Sequence, residues 1–477
     1  MHRRQFFSRS LQAAGLLGAA RITRAIASEN AEGHPVRVTV DSKLISNAIP
    51  KNFIGLGYEI SSVATQGLLS SENHIYVQLV RTLGPQGVIR IGGNTSDFSS
   101  FSATGASKAI SKGTVVNERS LQDLGTFLGA TGWHLIWGLN LGGGTEQDAI
   151  DEAKAVMSVA KDKLLAFEIG NEPDLFGKGT AHRPKNYQYA DYIIEYRRYK
   201  EALRRQIPNA PFAGPDAASA TDWVTRFAAD EGNDLKLLTH HYYRECASPT
   251  STLDKLLYPD PKLQPILEKL KSASASSHVP YRICETNSFC GGGKPGVSDT
   301  LGSALWALDF MFILASADAG GVNLETGVNQ LDFISSYSPI GDDEHGVYSA
   351  KPEYYAMLAF AHASQGRLSS VSCDTGGINL AAYAVSEERR LAVTLINKDE
   401  TRDVDVNIAA QHSSKHGGVW RLTGPSLGSK EGVMLAGAQV DSKGNWQSAS
   451  TEKVLLNNGE CRVHMGAGSA AVVIFEG

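Results

Sequence analysis

Short apolar runs alternate with amphipathic helical stretches over roughly the first three quarters of the chain. The runs lie at residues 53–60, 87–93, 134–141, 164–170, 211–218, 237–243, 281–287 and 320–326. Strands of a parallel sheet are buried on both faces, so they are continuously apolar, and helices connect them. Eight such units predict an α/β fold, a (β/α)₈ TIM barrel. A doubly wound open sheet is disfavoured, because Tyr58-Glu59 rather than a glycine-rich phosphate turn ends the first strand.

The pattern changes near residue 365, where short strands of alternating polarity are separated by Gly, Asn and Asp turns. This pattern is typical of an antiparallel β-sandwich. The stretch around residues 36–40 alternates in the same way and is expected to join that domain. The predicted domains are an N-terminal strand of the sandwich at 28–48, a catalytic barrel at 49–363 and the sandwich at 364–477.

The first 27 residues resemble a twin-arginine export signal. They contain Arg3-Arg4, then a short apolar run, then Ala25-Ile26-Ala27 as a cleavage site. A basic N-terminal helix is the alternative. The apolar run is too short to span a bilayer, so we expect an exported protein, periplasmic or extracellular, with no membrane segment in its mature form.

Composition narrows the function further. The chain has 477 residues, 42% of them hydrophobic, and a net charge of −5 with both signs scattered. This composition supports a large core and argues against a nucleic-acid partner. The odd number of widely spaced cysteines predicts neither a disulfide framework nor a zinc site. Neighbouring strand residues face opposite ways, so His240 and His241 cannot both bind one ion, and we expect neither a metal nor a cofactor.

Polar residues occur at the carboxyl ends of nearly all predicted barrel strands, where the chemistry of such barrels takes place. They are Glu59, Arg90 with Asn94, Asn140, Asn171-Glu172, Asp216, His241 with Tyr242-Tyr243, Glu285 and Glu325. A purely structural barrel does not need so many polar strand ends. We therefore expect a functional rim, with Glu59 and His241 among its substrate contacts.

Glu172 ends the fourth predicted strand and Glu285 the seventh, so the two would face each other across the barrel mouth. Hydrolysis of an acetal needs a proton donor and a second carboxylate. A single strand-end Glu is more often a cap or a rim salt bridge, but this pair predicts a glycosidase. Asn171 is placed to bind a sugar 2-hydroxyl, and Tyr243 to donate to Glu285.

Residues Cys290, Gly291, Gly292, Gly293 and Lys294 follow Glu285 closely. Successive glycines allow backbone N–H groups to converge on an anion, and Lys294 adds a positive charge. A flexible loop is the alternative interpretation. After the second strand, the glycines of GGNTSDF form a tight turn that leaves Asn94 as a substrate donor.

The motifs RIGGNTSDF, GNEPD, HHYY and CETNSFCGGGKPGVSDT together resemble glycoside hydrolase family 79, which contains β-glucuronidases and heparanase-like enzymes. The resemblance implies a barrel with an appended β-sandwich and hydrolysis with retention. It implies that Glu172 is the acid/base and Glu285 the nucleophile. It also implies substrate contacts from Asn94, Tyr243, Gly291 and Gly292, the two glycines at a uronate carboxylate.

One position departs from the family pattern. Members often carry Tyr where this chain has Cys290, so a phenolic donor to the carboxylate would be missing. Tyr337, after the eighth strand, is expected to supply another phenol.

The resulting hypothesis is a retaining, exo-acting β-D-glucuronidase whose substrate is a glucuronic-acid-containing saccharide or an aryl glucuronide. The absence of basic clusters favours exo over heparanase-like endo cleavage. The alternatives are the same fold acting on a neutral sugar (arabinofuranoside, xyloside or glucoside) and a non-catalytic carbohydrate-binding protein. The sequence does not indicate an oligomeric state.

Overall fold

The computed structural model describes residues 36–103, 113–178, 182–327, 335–343 and 345–477. The expected export signal lies outside these residues. Among the helices of the described part, none combines the length and the hydropathy that crossing a membrane requires.

The described residues form 22 strands and ten α-helices. The strands are β1 (Val36–Ala48), β2 (Ile54–Glu59), β3 (Val88–Gly92), β4 (Ser100–Ser102), β5 (Val115–Asn117), β6 (His134–Leu139), β7 (Leu164–Ile169), β8 (Ala213–Ala217), β9 (Leu237–Cys246), β10 (Tyr281–Cys290), β11 (Val322–Glu325), β12 (Ile340–Asp342), β13 (Tyr348–Ala350), β14 (Arg367–Asp374), β15 (Leu380–Glu387), β16 (Arg390–Asn397), β17 (Val404–Ala409), β18 (His416–Thr423), β19 (Met434–Leu435), β20 (Glu452–Leu455), β21 (Glu460–Met465) and β22 (Ser469–Glu476). The helices are α1 (Ser61–Ala64), α2 (His74–Leu83), α3 (Glu118–Thr131), α4 (Glu146–Ala160), α5 (Tyr189–Gln206), α6 (Thr221–Glu231), α7 (Leu253–Leu257), α8 (Leu263–Ser277), α9 (Leu301–Ser316) and α10 (Pro352–Ala363).

Eight parallel strands form a nearly closed barrel in the order β7-β6-β3-β2-β11-β10-β9-β8. β11 pairs with β2, and a parallel bridge between Phe167 and Phe212 connects β7 with the chain leading into β8. Each apolar run of the sequence contains one barrel strand, which confirms the predicted (β/α)₈ fold. The carboxyl ends of all eight strands therefore meet at one end of the barrel.

A polar cluster fills the opposite, amino-terminal end of the barrel. Arg282 is buried and donates to the carbonyls of Phe53 and Val322 at 3.0 Å, and its Nε donates to Asn323 at 2.6 Å. Asn323 in turn donates to the carbonyls of Leu56 and Val88. These bonds connect β2, β3, β10 and β11 and close the amino-terminal end of the barrel, which we call the barrel floor. The carboxyl end therefore remains for a functional site.

The second sheet has ten strands in the order β19-β18-β22-β16-β15-β14-β1-β17-β21, with β20 paired to β18. Its pairs are antiparallel except that β1 and β17 run parallel. One face encloses a core of its own, and the other contributes to the barrel core. The N-terminal strand β1 thus belongs to this sheet, whereas the exact domain boundaries remain predictions.

Helices α9 and α10 lie between the barrel and the second sheet, which explains why α9 is apolar almost all round. Asp309 of α9 accepts from Lys398 at 2.6 Å and from the Tyr383 hydroxyl at 2.6 Å. Tyr383 also stacks on Phe312, with ring centroids 4.7 Å apart. The contact between the two parts is therefore a packed and hydrogen-bonded interface.

Candidate active site

Glu172 and Glu285 lie together at the carboxyl end of the barrel. Their side chains are 14% and 8% exposed. One carboxylate oxygen of each, together with a ring nitrogen of His241, lies within 4.8 Å of the others. Side chains that are 113 residues apart in the sequence thus share one small space.

The local chain geometry explains how Glu172 reaches this position. β7 ends at Ile169, and Glu172 adopts a left-handed backbone with φ of 50°. Its N–H donates to the carbonyl of Asp216 at 3.0 Å, which ties the end of β7 to β8. Pro173 cannot continue the strand ladder and begins a short 3₁₀ turn.

His241 lies between two acids. Its Nε2 contacts Asp216 at 2.7 Å, and its Nδ1 contacts Glu172 at 3.0 Å. Burial alone would lower the pKa of His241, but the negative charges of Asp216 and Glu285 raise the pKa well above its ordinary value. The ring is therefore a cation that donates from both nitrogens.

Burial raises the pKa of Glu172 above its ordinary value, and the nearby Glu285 adds to this effect, whereas the hydrogen bond from His241 opposes it. A raised pKa favours the protonated form of the carboxyl group. Glu172 is thus suited to donate a proton.

Glu285 has different partners. Arg90 donates to its Oε2 at 2.8 Å, and the Tyr243 hydroxyl donates to its Oε1 at 3.1 Å. Glu285 thus accepts from a cation and a phenol, whereas Glu172 contacts the ring of His241.

Arg90 connects most of the site. Its guanidinium is fully buried and also donates to Glu168 at 3.1 Å, Asp216 at 2.5 Å and Asn171 at 2.9 Å. A β-carbon at Gly92 would lie 2.5 Å from Arg90 Cζ, so Gly92 provides the space for this side chain. From the sequence, Arg90 is predicted only as a polar strand end. A charged residue inside the apolar run VIRIG is the signal that Arg90 is buried among acidic partners.

Asn171 is oriented by its neighbours. Its Oδ1 accepts from Arg90, and its backbone N–H donates to Asp97 at 3.1 Å. Its Nδ2 is buried and has no protein partner in the described part of the chain. Because Arg90 can only donate, the amide nitrogen is the group left available for a ligand.

Glu59 and Asn94, two of the expected substrate contacts, lie at the same end of the barrel. The carboxylate of Glu59 accepts from the backbone of Asn94 at 3.1 Å and from the backbone and hydroxyl of Thr95 at 2.7 and 2.6 Å. Burial and the nearby Glu285 raise the pKa of Glu59 to about 7. Glu59 thus holds the turn after β3, and the exposed Asn94 side chain remains available.

The expectation of no disulfide was wrong for one pair. Cys246 and Cys290 form a disulfide across the ends of β9 and β10, where their Cα atoms are 4.3 Å apart and pair in register. Cys290 therefore offers no free thiol to a substrate. Cys284 and Cys461 are free and buried as expected, and Cys373 is free and partly exposed.

The glycines after Cys290 form a left-handed turn. Gly291, Gly292 and Gly293 have φ angles of 76°, 86° and 80°, which side-chain-bearing residues rarely adopt. No described residue accepts from the N–H groups of Gly291 and Gly292. Lys294 is half-buried and forms no ion pair with the described residues.

Tyr337 links this turn to the carboxylates. Its ring stacks on Tyr243, with centroids 6.3 Å apart, and a β-carbon at Gly293 would lie 3.1 Å from it. Tyr243 donates to Glu285, so these contacts lead from the glycine turn to that carboxylate. His241, by contrast, is buried and contacts the carboxylates of Asp216 and Glu172.

The spacing of Glu172, His241 and Glu285 would also admit a metal ion. The protonated His241 ring, however, has no free lone pair, because its nitrogens donate to Asp216 and Glu172. The chemistry of this donor set therefore fits proton transfer better than metal binding.

The fold and the paired carboxylates define a glycoside hydrolase. The chain belongs to glycosyl hydrolase family 79, as the sequence motifs predicted. It matches the N-terminal domain of that family over residues 65–311 and the C-terminal beta domain over residues 378–472.

Similar proteins include two fungal enzymes named beta-glucuronidase. That of Neurospora crassa is 27% identical over 380 residues, which cover 68% of this chain and 66% of that protein. That of Aspergillus niger is 26% identical over 371 residues, which cover 69% of this chain and 68% of that protein. The heparanase of Bos taurus is 24% identical over 50% of this chain and 44% of its own length. This chain thus spans about two thirds or less of these relatives.

Solved structures share the fold. A 4-O-alpha-L-rhamnosyl-beta-D-glucuronidase from Fusarium oxysporum has a TM-score of 0.75 at 18% identity and covers 91% of this chain and 99% of its own. An alpha-L-arabinofuranosidase from Thermotoga maritima has a TM-score of 0.67 at 14% identity and covers 92% and 100%. At these identities the likeness concerns the fold alone.

Proposed function

We propose that this protein is a retaining, exo-acting β-D-glucuronidase with Glu285 as nucleophile and Glu172 as acid/base. The observation that carries the proposal is the spacing of the two carboxylates, whose oxygens approach within 4.8 Å. Retaining glycosidases hold the pair about 5–5.5 Å apart, whereas inverting ones need about 6.5–9.5 Å to admit a water.

The reaction proceeds in two displacements. A Glu285 oxygen attacks the anomeric carbon, the bond to the aglycone oxygen breaks, and Glu172 protonates that oxygen as it leaves. Glu172, now ionised, takes a proton from water, whose oxygen attacks the same carbon and releases Glu285. Arg90 and Tyr243 support Glu285 as an ionised nucleophile, and the raised pKa of Glu172 supports its role as the acid.

The substrate class follows from the groups around the pair. The N–H groups of Gly291 and Gly292, which have no acceptor among the described residues, and the charge of Lys294 suit the sugar carboxylate. Tyr337 supplies a phenol beside this turn, and Asn94 supplies an amide on the opposite side. The names of the fungal relatives support the same substrate class.

A substrate panel tests this proposal. Purified enzyme is assayed on 4-nitrophenyl β-D-glucuronide, β-D-glucoside, β-D-xyloside and α-L-arabinofuranoside, and NMR follows the anomer formed first. We expect strong preference for the glucuronide, with the β-anomer as the first product. A preference for a neutral sugar, internal cleavage of a uronic-acid polymer, or binding without turnover would support an alternative and contradict the proposal.

Variants test the residue roles. Glu285→Gln and Glu172→Gln are expected to lower turnover by about 10²–10⁴-fold or more. Glu201→Gln is the matched control, because Glu201 is an exposed glutamate on α5. Near-wild-type turnover of either site variant would refute the assignment.

We also propose that residues 1–27 direct export. N-terminal sequencing of the exported protein is expected to begin at Ser28. Arg3→Lys with Arg4→Lys is expected to retain the precursor inside the cell. Export of the unprocessed protein would contradict this role.

A further inference from the structure

β9 and β10 are longer than the other barrel strands. Each has ten residues, whereas the other six strands have four to six. The last pairing of β8 with β9 is Ala217 with His240, and the last pairing of β11 with β10 is Leu324 with Thr286. Beyond these points β9 and β10 pair only with each other, as a two-stranded ribbon at the carboxyl end of the barrel.

The Cys246–Cys290 disulfide closes the tip of this ribbon. The two residues pair in register, and the N–H of Ala247 donates to the carbonyl of Cys290 at 3.0 Å. The glycine turn begins at the next residue, Gly291. The covalent bond is therefore adjacent to the N–H groups that the proposed function assigns to the sugar carboxylate.

Hydrogen bonds at Gly292, Gly293 and Lys294 also restrain the turn, and the N–H of Lys294 donates to the Ser298 hydroxyl at 2.8 Å. Gly293 donates to the carbonyl of Phe289 at 3.1 Å, and Ser336 donates to the carbonyl of Gly292 at 2.6 Å. A two-stranded ribbon is only marginally stable by itself, and glycines have the greatest backbone freedom of all residues. Without the disulfide, Gly291 and Gly292 would have to be ordered when the ligand binds, which weakens binding.

We propose that the Cys246–Cys290 disulfide is a positioning element that determines specificity, because it holds the Gly291 and Gly292 amides in the conformation that binds the carboxylate of the substrate. This inference rests on the proposed function. Glu285 lies below the ribbon in the closed barrel. Its partners are Arg90 of β3 and Tyr243, which lies on β9 before the disulfide at the tip. The disulfide thus acts on binding of the uronate and not on the chemical steps.

The test compares oxidised and reduced enzyme. Cys246 is exposed, so a phosphine can reach it: the phosphine is oxidised to its oxide with oxygen from water, and the disulfide becomes two thiols. Iodoacetamide then blocks the thiols, and peptide mass analysis verifies reduction. A second sample carries Cys246→Ser and Cys290→Ser. Cys373→Ser, which removes a free cysteine of the second sheet, is the control.

We expect KM for 4-nitrophenyl glucuronide to rise about tenfold, with kcat changed less than about threefold. Kinetics on the matched glucoside, which lacks only the carboxylate, are expected to stay unchanged. An unchanged KM after verified reduction, or an equal loss on both substrates, would overturn the inference. If the double variant does not fold, reduction of the folded wild-type enzyme decides the question.

The two proposals fail in different ways. If the wild-type enzyme shows no preference for the glucuronide, the proposed function is contradicted before any reduction is made. The subsite that the disulfide would position is then absent as well. A preference that survives reduction overturns only the role of the disulfide.

Discussion

At the scale of single residues, the site contains two pairs of acids, Glu168 with Asp216 and Glu172 with Glu285. The two members of each pair have different surroundings. Burial raises the pKa of Glu168 to about 7, and the nearby Asp216 adds to this effect. Burial would also raise the pKa of Asp216, but Arg90 and His241 lower it well below its ordinary value. Within the pair of Glu168 and Asp216, these shifts favour the proton on Glu168.

Opposite charges face each other in this arrangement. Arg90 contacts Asp216 and Glu285, and His241 contacts Asp216 and Glu172. Buried ions are stable only when they are paired, so each charge depends on the others. His241 consequently affects the proton affinity of Glu172 through their hydrogen bond.

We predict that His241→Gln moves the alkaline limb of the kcat/KM profile to higher pH. That limb reports loss of the Glu172 proton, and the His241 cation lowers the pKa of Glu172. Removing the positive charge therefore raises this pKa and preserves the acid to higher pH. The measurement is kcat/KM on an aryl glucuronide between about pH 4 and about 9.

His240→Gln is the matched control. Burial lowers the pKa of His240 to about 4, so this ring is neutral at the pH of the limb. Its substitution removes no charge and should leave the limb in place. A downward shift in the His241 variant would contradict the assignment.

We predict that Asn171→Ala lowers kcat/KM on the glucuronide by about 10- to 150-fold, the effect of losing about 1.5–3 kcal/mol from a hydrogen bond that strengthens in the transition state. Arg90 donates to both Glu285 and the Oδ1 of Asn171, and the Nδ2 of Asn171 has no partner in the described part of the chain. A cycle with the 2-deoxyglucuronide isolates this contact. Because the 2-deoxy substrate already lacks the hydroxyl, Asn171→Ala should lower its kcat/KM only slightly further. If the effects of the two changes on kcat/KM are fully additive, contact between Asn171 and the 2-hydroxyl is excluded.

At the scale of elements, the sequence predicted the barrel strands well and the ends of two strands poorly. Parallel strands buried on both faces are apolar throughout, so β2 to β11 of the barrel were visible as runs. β9 and β10 extend three residues beyond their predicted ends at 243 and 287. These extensions are more polar and are stabilised by pairing with each other, which a local pattern does not reveal.

The same reason explains the missed disulfide. Cys246 and Cys290 are 44 residues apart, and only the register of β9 against β10 brings them together. The contact between His241 and Asp216 is hidden from the sequence for a similar reason. A polar strand-end residue can contact either a ligand or a neighbouring strand, and the partner Asp216 is known only from the fold.

We predict that Gly55→Ala in β2 destabilises the enzyme by about 1–3 kcal/mol without changing kcat of the folded fraction. An added β-carbon would lie 2.5 Å from Asn323 Nδ2 and 2.6 Å from Arg282 Nη2, in the barrel floor far from the carboxylates. Urea unfolding measures the change in free energy.

Gly129→Ala is the control for this substitution. Gly129 lies in α3, and an added β-carbon there meets no atom within 4 Å. Alanine is favoured over glycine in a helix, so this variant should be as stable as wild type or more stable by about 0.5–1 kcal/mol. Equal stability of the two variants would show that the floor adapts to the extra carbon.

At the scale of the whole molecule, burial of acids other than the catalytic pair couples stability to pH. Glu152 of α4 accepts from Trp137 Nε1 at 2.9 Å, and burial raises its pKa to about 7. Glu353 of α10 accepts from Asn287 at 3.0 Å, and burial raises its pKa to about 8. Both groups bind a proton more tightly in the folded chain than in the unfolded chain.

We predict that these two acids make the free energy of unfolding fall as pH rises. Their contribution is fully present below the ordinary pKa of 4.5 and is lost as pH rises to about 7 for Glu152 and about 8 for Glu353. Within that window each group changes stability by about 1.4 kcal/mol per pH unit at most.

Other groups titrate there too, so the test compares between variants the slope of unfolding free energy against pH. Glu152→Gln keeps an acceptor for Trp137 but cannot ionise, and should be less sensitive to rising pH than wild type in urea unfolding at about pH 5 and about pH 7. Glu201→Gln, which changes an exposed glutamate, should leave the slope unaltered, and a Glu152→Gln slope equal to that of wild type would mean that Glu152 is ionised in the folded enzyme at both pH values.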